Sequence, residues 1–290
     1  MAKVPDGVDP EQLTVVARRV LLDGLEALRE HRDAITVVGA QAVYLRTPTA
    51  AVRSAAFTSD GDLTLDPARL PDQPLLDQAL RDGGFELLKA DGPGLWGRRE
   101  QVGDLSVLVE LDLLVPESLA GKGTRSAKIP PHGKMSARRT PGLEVAVEDR
   151  SPMTIAALED GDGRKVTVNV AGPIALLVAK AHKISDRLAD KDRHPDRLTD
   201  KDAGDVLRLF MGTQPRQAAA DATRLLSNER AGATTATGLK LLADLFGRPR
   251  SPGVDMAVNA LAADVPEARI RALAPAFVAV LDRSRDRAPV

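Results

Sequence analysis

Asp60 and Asp62 stand two apart in Thr58-Ser59-Asp60-Gly61-Asp62-Leu63-Thr64-Leu65. If that stretch is a strand, both carboxylates project from one face, because side chains alternate with a period of two. Two like charges aimed at one point repel each other, and a divalent cation neutralises both. Magnesium, a hard ion held by oxygens and by substrate phosphates, is the ion expected there. About twenty residues upstream, Ile35-Thr36-Val37-Val38 runs into Gly39-Ala40-Gln41-Ala42. A small-residue turn at that point would let backbone N–H groups approach a triphosphate. The hydroxyls of Thr58 and Ser59 sit directly before the aspartates. Together these residues point to nucleotidyl transfer, with Gly39, Ala40, Thr58 and Ser59 on the nucleotide and Asp60 and Asp62 on the metal. Taken alone, Asp-Gly-Asp also reads as a solvated turn.

A third carboxylate would complete a two-ion site, which holds its ions about 3.5–4 Å apart for an in-line displacement. Asp112 and Glu110 both offer one. They share a face of the apolar run Leu105–Val115, opposite Val107, Val109, Leu111 and Leu113. Asp112 is favoured, with Glu110 as its substitute; an edge strand with one wet face is the plainer reading. Further on, Lys180, Lys183 and Arg187 fall on one helical face, and Asp202 and Asp205 on another. Cations of this kind could bind a triphosphate and stabilise the leaving pyrophosphate. A salt-bridged surface between two charged helices would show the same spacing.

The elements that must position these groups follow from periodicity. Residues 10–31 and 73–82 read as helices, and Ile35–Val38, Leu63–Leu65, Phe85–Leu88, Leu95–Arg98 and Leu105–Val115 as strands. Residues 39–45 read as a turn entering a helix, which Thr47-Pro48-Thr49 breaks, and 51–58 as a loop or an edge strand. Residues 117–140 read as a loop carrying Lys122, Arg125, Lys128, His132, Lys134, Arg138 and Arg139 against the single acid Glu117. That basic loop could grip an RNA backbone, since phosphate contacts need little beyond Lys and Arg. It has no aromatic residue for stacking, and a solvated loop is the simpler account. Leu143–Val147 and Val166–Val170 are further strand candidates. From Gly172 onward the pattern is helical, at about 173–190, 200–212, 215–228, 234–246, 252–263 and 266–284. The expected class is therefore α+β, with one domain over 1–171 and an all-α domain over 172–290.

Bulk properties set limits. The chain has 290 residues, 43% hydrophobic but only 2% aromatic, so its core must come from Leu, Val, Ile and Ala. A net charge of −1 leaves nucleic-acid binding to a local patch. The absence of cysteine excludes disulfides, thiolate metal sites and Cys nucleophiles, and fits a reducing compartment. No apolar run approaches the length of a membrane span, and the N-terminus carries no apolar signal core, so a cytoplasmic protein without a membrane partner is expected.

With Gly39-Ala40, Asp60-Gly61-Asp62, Asp112 or Glu110, Lys180-Ala181-His182 and Lys201-Asp202-Ala203-Gly204-Asp205 in this order, the chain resembles the AbiEii-type nucleotidyltransferase-like family. That group includes bacterial toxins of type IV-like toxin–antitoxin pairs. The phrases VGAQAVYLRT and TSDGDLTLDP are also similar to nucleotidyltransferase-like proteins of actinobacteria. The resemblance implies a polymerase-β-like domain, a mixed sheet with helices, followed by a helical domain. It implies transfer of a nucleoside monophosphate from an NTP with Mg²⁺, in some relatives to the 3′ end of tRNA, and a cognate antitoxin as partner. It places Lys180 on the triphosphate and Asp205 at the functional acid of the second motif. Nucleotidylation of a protein or a small molecule such as an antibiotic, and a non-catalytic binding module, are the alternatives. The family's turn usually continues Gly-Gly or Gly-Ser, whereas here it is Gly39-Ala40-Gln41, leaving Thr58 or Ser59 to supply the hydroxyl.

Overall fold

The computed structural model describes residues 7–48 and 58–285; residues 51–57, expected as a loop or edge strand, lie outside the described residues. Two compact units emerge. Residues 7–42, 58–141 and 150–171 form the first, and 43–48, 142–149 and 172–285 the second. Residues 43–48 and 142–149, both earlier in the chain than 171, therefore belong with the helical unit.

In the first unit helix α1 (Pro10–Ala27) begins at Asp9, whose carboxylate accepts the Glu11 N–H at 3.0 Å, as an N-cap does. The expected helix over 10–31 ends sooner: buried Leu28 closes it and the chain tightens into a 3₁₀ turn over Arg29–Ala34. There follow β1 (Ile35–Val38), α2 (Gly39–Arg46, of which residues 43–46 count with the second unit), β2 (Asp60–Leu65), α3 (Leu76–Asp82), β3 (Glu86–Leu87), β4 (Leu95–Val102), β5 (Leu105–Pro116), β6 (Arg138–Thr140), β7 (Arg150–Ala156) and β8 (Lys165–Ala171). Among the described residues these strands form one mixed sheet in the order β3-β4-β5-β2-β1-β8-β7, with β6 added on β5. β2 lies antiparallel to β1 and parallel to β5, and β1 is parallel to β8. Helix α1 packs on β5 and β2. A Cβ at Gly61 would meet Leu111 Cδ1 at 3.1 Å and Leu21 Cδ1 at 3.3 Å, so the odd positions of β2 and β5 face α1. The even positions, Asp60, Asp62, Glu110 and Asp112, face the other way.

Two strands escape the sequence patterns. β7 carries Pro152, which an edge strand tolerates, and β7 is at the sheet edge. β6 is only three residues long. The segment Leu143–Val147, expected as a strand, is a 3₁₀ turn over Glu144–Val147. All four of its residues are buried, and a short apolar run buried on every side carries no period to separate strand from helix.

Two histidines sit within this first unit. His31 is fully buried and His132 is 6% exposed, with their rings edge-on at 5.6 Å. His132 Nδ1 accepts the Leu76 N–H, so its proton lies on Nε2, which donates to Pro71 O at 3.0 Å. Burial lowers the pKa of both rings, and His132 depresses His31 further. The unfolded chain then takes up these protons first as pH falls through the ordinary histidine range, so stability declines from about pH 6.5 downward. Urea midpoints at pH 7.5 and 5.5 should differ in that sense, with a smaller difference in His31→Leu; equal midpoints in the native protein would contradict neutral rings.

The second unit holds α4 (Pro173–Ala189), α5 (Lys201–Gly212), α6 (Pro215–Leu226), α7 (Gly232–Phe246), α8 (Pro252–Leu261) and α9 (Glu267–Arg285). α4 packs on α7, α5 on α8 and α6 on α9. Its few aromatics meet at one point: Phe210 stacks on Phe277 at 4.4 Å and meets Phe246 edge-on at 5.8 Å.

Candidate active site

The register of the parallel pair builds the acidic face. Asp60 lies opposite Glu110 and Asp62 opposite Asp112. Four carboxylates thus occupy two adjacent strands on the face turned away from α1. Beyond Val38, which pairs with Asp62, Gly39 opens α2 at φ +69. A Cβ on Gly39 would fall 1.9 Å from Asp62 Oδ2, so the Asp62 carboxylate rests directly against the Gly39 backbone. Both the left-handed φ and that approach require glycine. Ala40, in the first turn of α2, is buried.

Gln41 fixes the position of this turn. It is 2% exposed. Its Nε2 donates to Asp60 O at 3.1 Å and to Ala17 O at 3.3 Å, and its Oε1 accepts from Arg18 Nε at 2.8 Å. Arg18, itself buried, also donates to Ala156 O at 3.2 Å, and desolvation lowers the pKa of its guanidinium. The turn thus offers no hydroxyl at Ala40, and the amide that follows it ties α1 and α2 to the backbone of Asp60. Thr58 and Ser59 are both buried, and the Thr58 hydroxyl donates to Asp60 Oδ1.

Asp112 is 8% exposed. Arg138 Nη2 donates to its Oδ2, while Oδ1 is buried without a hydrogen-bond partner among the described residues. Burial, opposed by Arg138 and reinforced by Asp62, Glu110 and Asp60, pushes its carboxyl up to about 7. Burial and the neighbouring Asp60 raise Glu110 as well. Among the described residues no three His, Asp or Glu side chains are grouped so as to hold an ion by themselves. Magnesium asks for less: one or two carboxylates, with waters and substrate phosphates completing the shell. Asp60 and Asp62 offer those two carboxylates, while Asp112 already accepts from Arg138 through Oδ2. That donor pair would suit such an ion.

In the helical unit, Lys180, Asp202 and Asp205 form a buried ionic cluster, each at most 5% exposed. Lys180 Nζ donates to Asp202 Oδ1 at 2.7 Å and to Asp205 Oδ2 at 2.6 Å. Arg187 adds a contact to Asp202 at 2.7 Å and Lys183 one at 3.2 Å. Burial alone would push the ammonium of Lys180 down, but the two aspartates outweigh it and raise its pKa. Burial would likewise raise Asp202, and the three cations outweigh it and hold it below the usual carboxylate range. The residues read as a triphosphate contact and as a functional acid are thus each other's partners. Asp202, which pairs with all three cations, had no place in the expected site.

The basic excursion between β5 and β6 is partly folded. Ala127 N–H bonds to Ala137 O, Lys128 N–H to Ala120 O and Arg139 N–H to Arg125 O, and Ala120, Ala127, Ile129 and Ala137 are buried. Lys122, Arg125, Lys128 and Lys134 remain accessible to solvent. The sequence marked Arg138 only as one cation of the basic loop and Gln41 only as a member of the turn, and did not mark Arg18; their ties to Asp112, to Asp60 O and to Gln41 join partners distant in the chain.

No protein-family model, no curated protein and no solved structure matches this chain.

Proposed function

We propose that this chain is a divalent-cation-dependent nucleotidyltransferase built on a polymerase-β-like domain, moving a nucleoside monophosphate from an NTP to an acceptor hydroxyl. The observation that carries this reading is the β2–β5 register, which sets Asp60 and Asp62 beside Glu110 and Asp112 with Gly39 pressed against Asp62. Asp60 and Asp62 would hold Mg²⁺, which when bound supplies charge neutralisation at the phosphates. The chain's own groups do the rest. Gln41 and Thr58 orient Asp60, and the glycine turn leaves room for the Asp62 carboxylate. The acceptor oxygen forms a bond to the α-phosphorus, the bond from that phosphorus to the bridging oxygen breaks, and pyrophosphate leaves with the electron pair. The hydroxyl proton passes to Asp112, whose Oδ1 has no other partner among the described residues.

Lys122, Arg125, Lys128 and Lys134, all accessible, favour a polyanionic acceptor, and tRNA is the acceptor the family likeness suggests, with a cognate antitoxin as regulator. A protein or small-molecule acceptor is the second reading. The test is transfer of label from α-labelled NTPs to total RNA, protein and metabolites. Asp60→Ala and Asp62→Ala should each lower transfer by more than the roughly 10–100-fold typical of an outer-shell partner, with circular dichroism unchanged. Full activity in either variant rejects the reading, and label confined to protein rejects tRNA.

A further inference from the structure

We propose that the guanidinium of Arg138 holds the place that a second divalent ion would take, so that the acidic face binds a single ion on Asp60 and Asp62. This rests on the nucleotidyl-transfer reading above. A two-ion site needs a carboxylate reaching both ions, about 3.5–4 Å apart. The neighbour of Asp62 on β5 is Asp112, and Asp112 already accepts from Arg138 through Oδ2.

The backbone delivers Arg138 to that point. β4 pairs along β5 from Val102 opposite Leu105 up to Leu95 opposite Asp112. At Gly94 β4 gives way, and β6 takes the same edge, with Arg138 opposite Leu114. The exchange is tied by Gly94 N–H to Met135 O at 2.9 Å and Leu113 N–H to Gly94 O at 2.8 Å. A Cβ at Gly94, whose φ is +71, would meet Leu113 O at 2.3 Å and Arg138 N at 2.7 Å. The swap of strands is thus built for close backbone approach, and it places a permanent, planar cation matched to carboxylate geometry on the third acid. Ser126 bridges Arg138 from the far side, and Arg139 N–H bonds to Arg125 O, so the strand is held on both flanks. Asp112 Oδ1 is left as a buried acceptor for a hydroxyl donor rather than for an ion already matched by Arg138.

Equilibrium dialysis with Mn²⁺ alone, and with Mn²⁺ plus α,β-methylene analogues of the four NTPs, tests this by counting ions and nucleotides per chain. The native protein should hold one Mn²⁺ per bound nucleotide. Arg138→Gln should hold two, and Arg138→Lys, which keeps a cation beside Asp112, should return to one. Two ions in the native protein, or one in a folded Arg138→Gln variant, overturns the assignment. If Arg138→Gln fails to fold, two ions in Arg138→Lys overturn it and one supports it. No Mn²⁺ in the native protein under any condition overturns the nucleotidyl-transfer reading and this inference with it, whereas one bound ion without transfer activity removes only the former.

Discussion

Lys180→Met is expected to lower the stability of the protein by about 3–5 kcal/mol, the usual effect of removing one partner from a buried ion pair. The substitution nearly preserves volume, so packing contributes little to that loss. What remains is Asp202 and Asp205, 1% and 0% exposed, without the ammonium that donates to both. Lys183 and Arg187 still face Asp202, so Asp205 bears most of the deficit. Combining Lys180→Met with Asp202→Asn and Asp205→Asn should recover part of the loss: the aspartates then carry no uncompensated charge, while Arg187 gives up its ion pair with Asp202. The pH dependence follows from the same cluster. Asp202 has a depressed folded pKa, so its contribution is present above the unfolded aspartate range and lost as pH falls below it. Lys180 has a raised folded pKa, so its contribution is present below the unfolded lysine range and lost as pH rises through the folded one. Both are therefore in force at neutral pH. Urea titration of the single and triple variants decides the matter. A single variant with an unchanged midpoint but a raised KM for NTP would instead make Lys180 a triphosphate contact.

Gly39→Ala is expected to disable the acidic face and weaken the fold together. The left-handed φ of +69 costs about 1–2 kcal/mol for any residue with a Cβ. The new methyl would also fall 1.9 Å from Asp62 Oδ2 and 2.7 Å from its Cγ, so the carboxylate must leave its place. Mn²⁺ binding and transfer should fall as far as they do in Asp62→Ala. A double-mutant cycle separates the two contributions. In an Asp62→Ala background the methyl meets only the Cβ at 3.0 Å, so the added loss from Gly39→Ala should shrink toward the backbone contribution alone. Equal losses in both backgrounds would show that Gly39 does not act through Asp62.

The strands of the acidic face were legible because period-two alternation needs only a few residues. Asp60 and Asp62 share a face by that rule, and so do Glu110 and Asp112 against buried Val109, Leu111 and Leu113. The helices from α4 to α9 were legible for the corresponding reason, with long stretches at helical spacing. Pairings across the chain were not. The Asp112–Arg138 contact spans 26 residues and depends on β4 yielding its edge to a three-residue strand, which no local pattern encodes. The tie from Gln41 to Asp60 O spans 19 residues, and that from Arg18 to Gln41 spans 23. The spacing of Lys180 with Lys183, and of Asp202 with Asp205, marked charged helix faces. A salt-bridged surface between the two helices was one reading of that spacing, and those bridges form; that they bury Lys180, Asp202 and Asp205 was not legible.

Gly61 bears on how far the charge of this face is felt. The residue between the two aspartates has only hydrocarbon behind it, Leu21 on α1 and Leu111 on β5. A strand that carries carboxylates in front and aliphatic side chains behind resembles a charged plate backed by a poor dielectric. Field lines from Asp60 and Asp62 are crowded out of the low-permittivity layer and leave toward the solvent side. A cation in solution therefore meets a stronger pull than the same two carboxylates would exert in open water, and this focusing reaches it before any ligand contact is made. The smallest residue in the motif, having no side chain of its own, is what lets the insulating layer lie close against the charges.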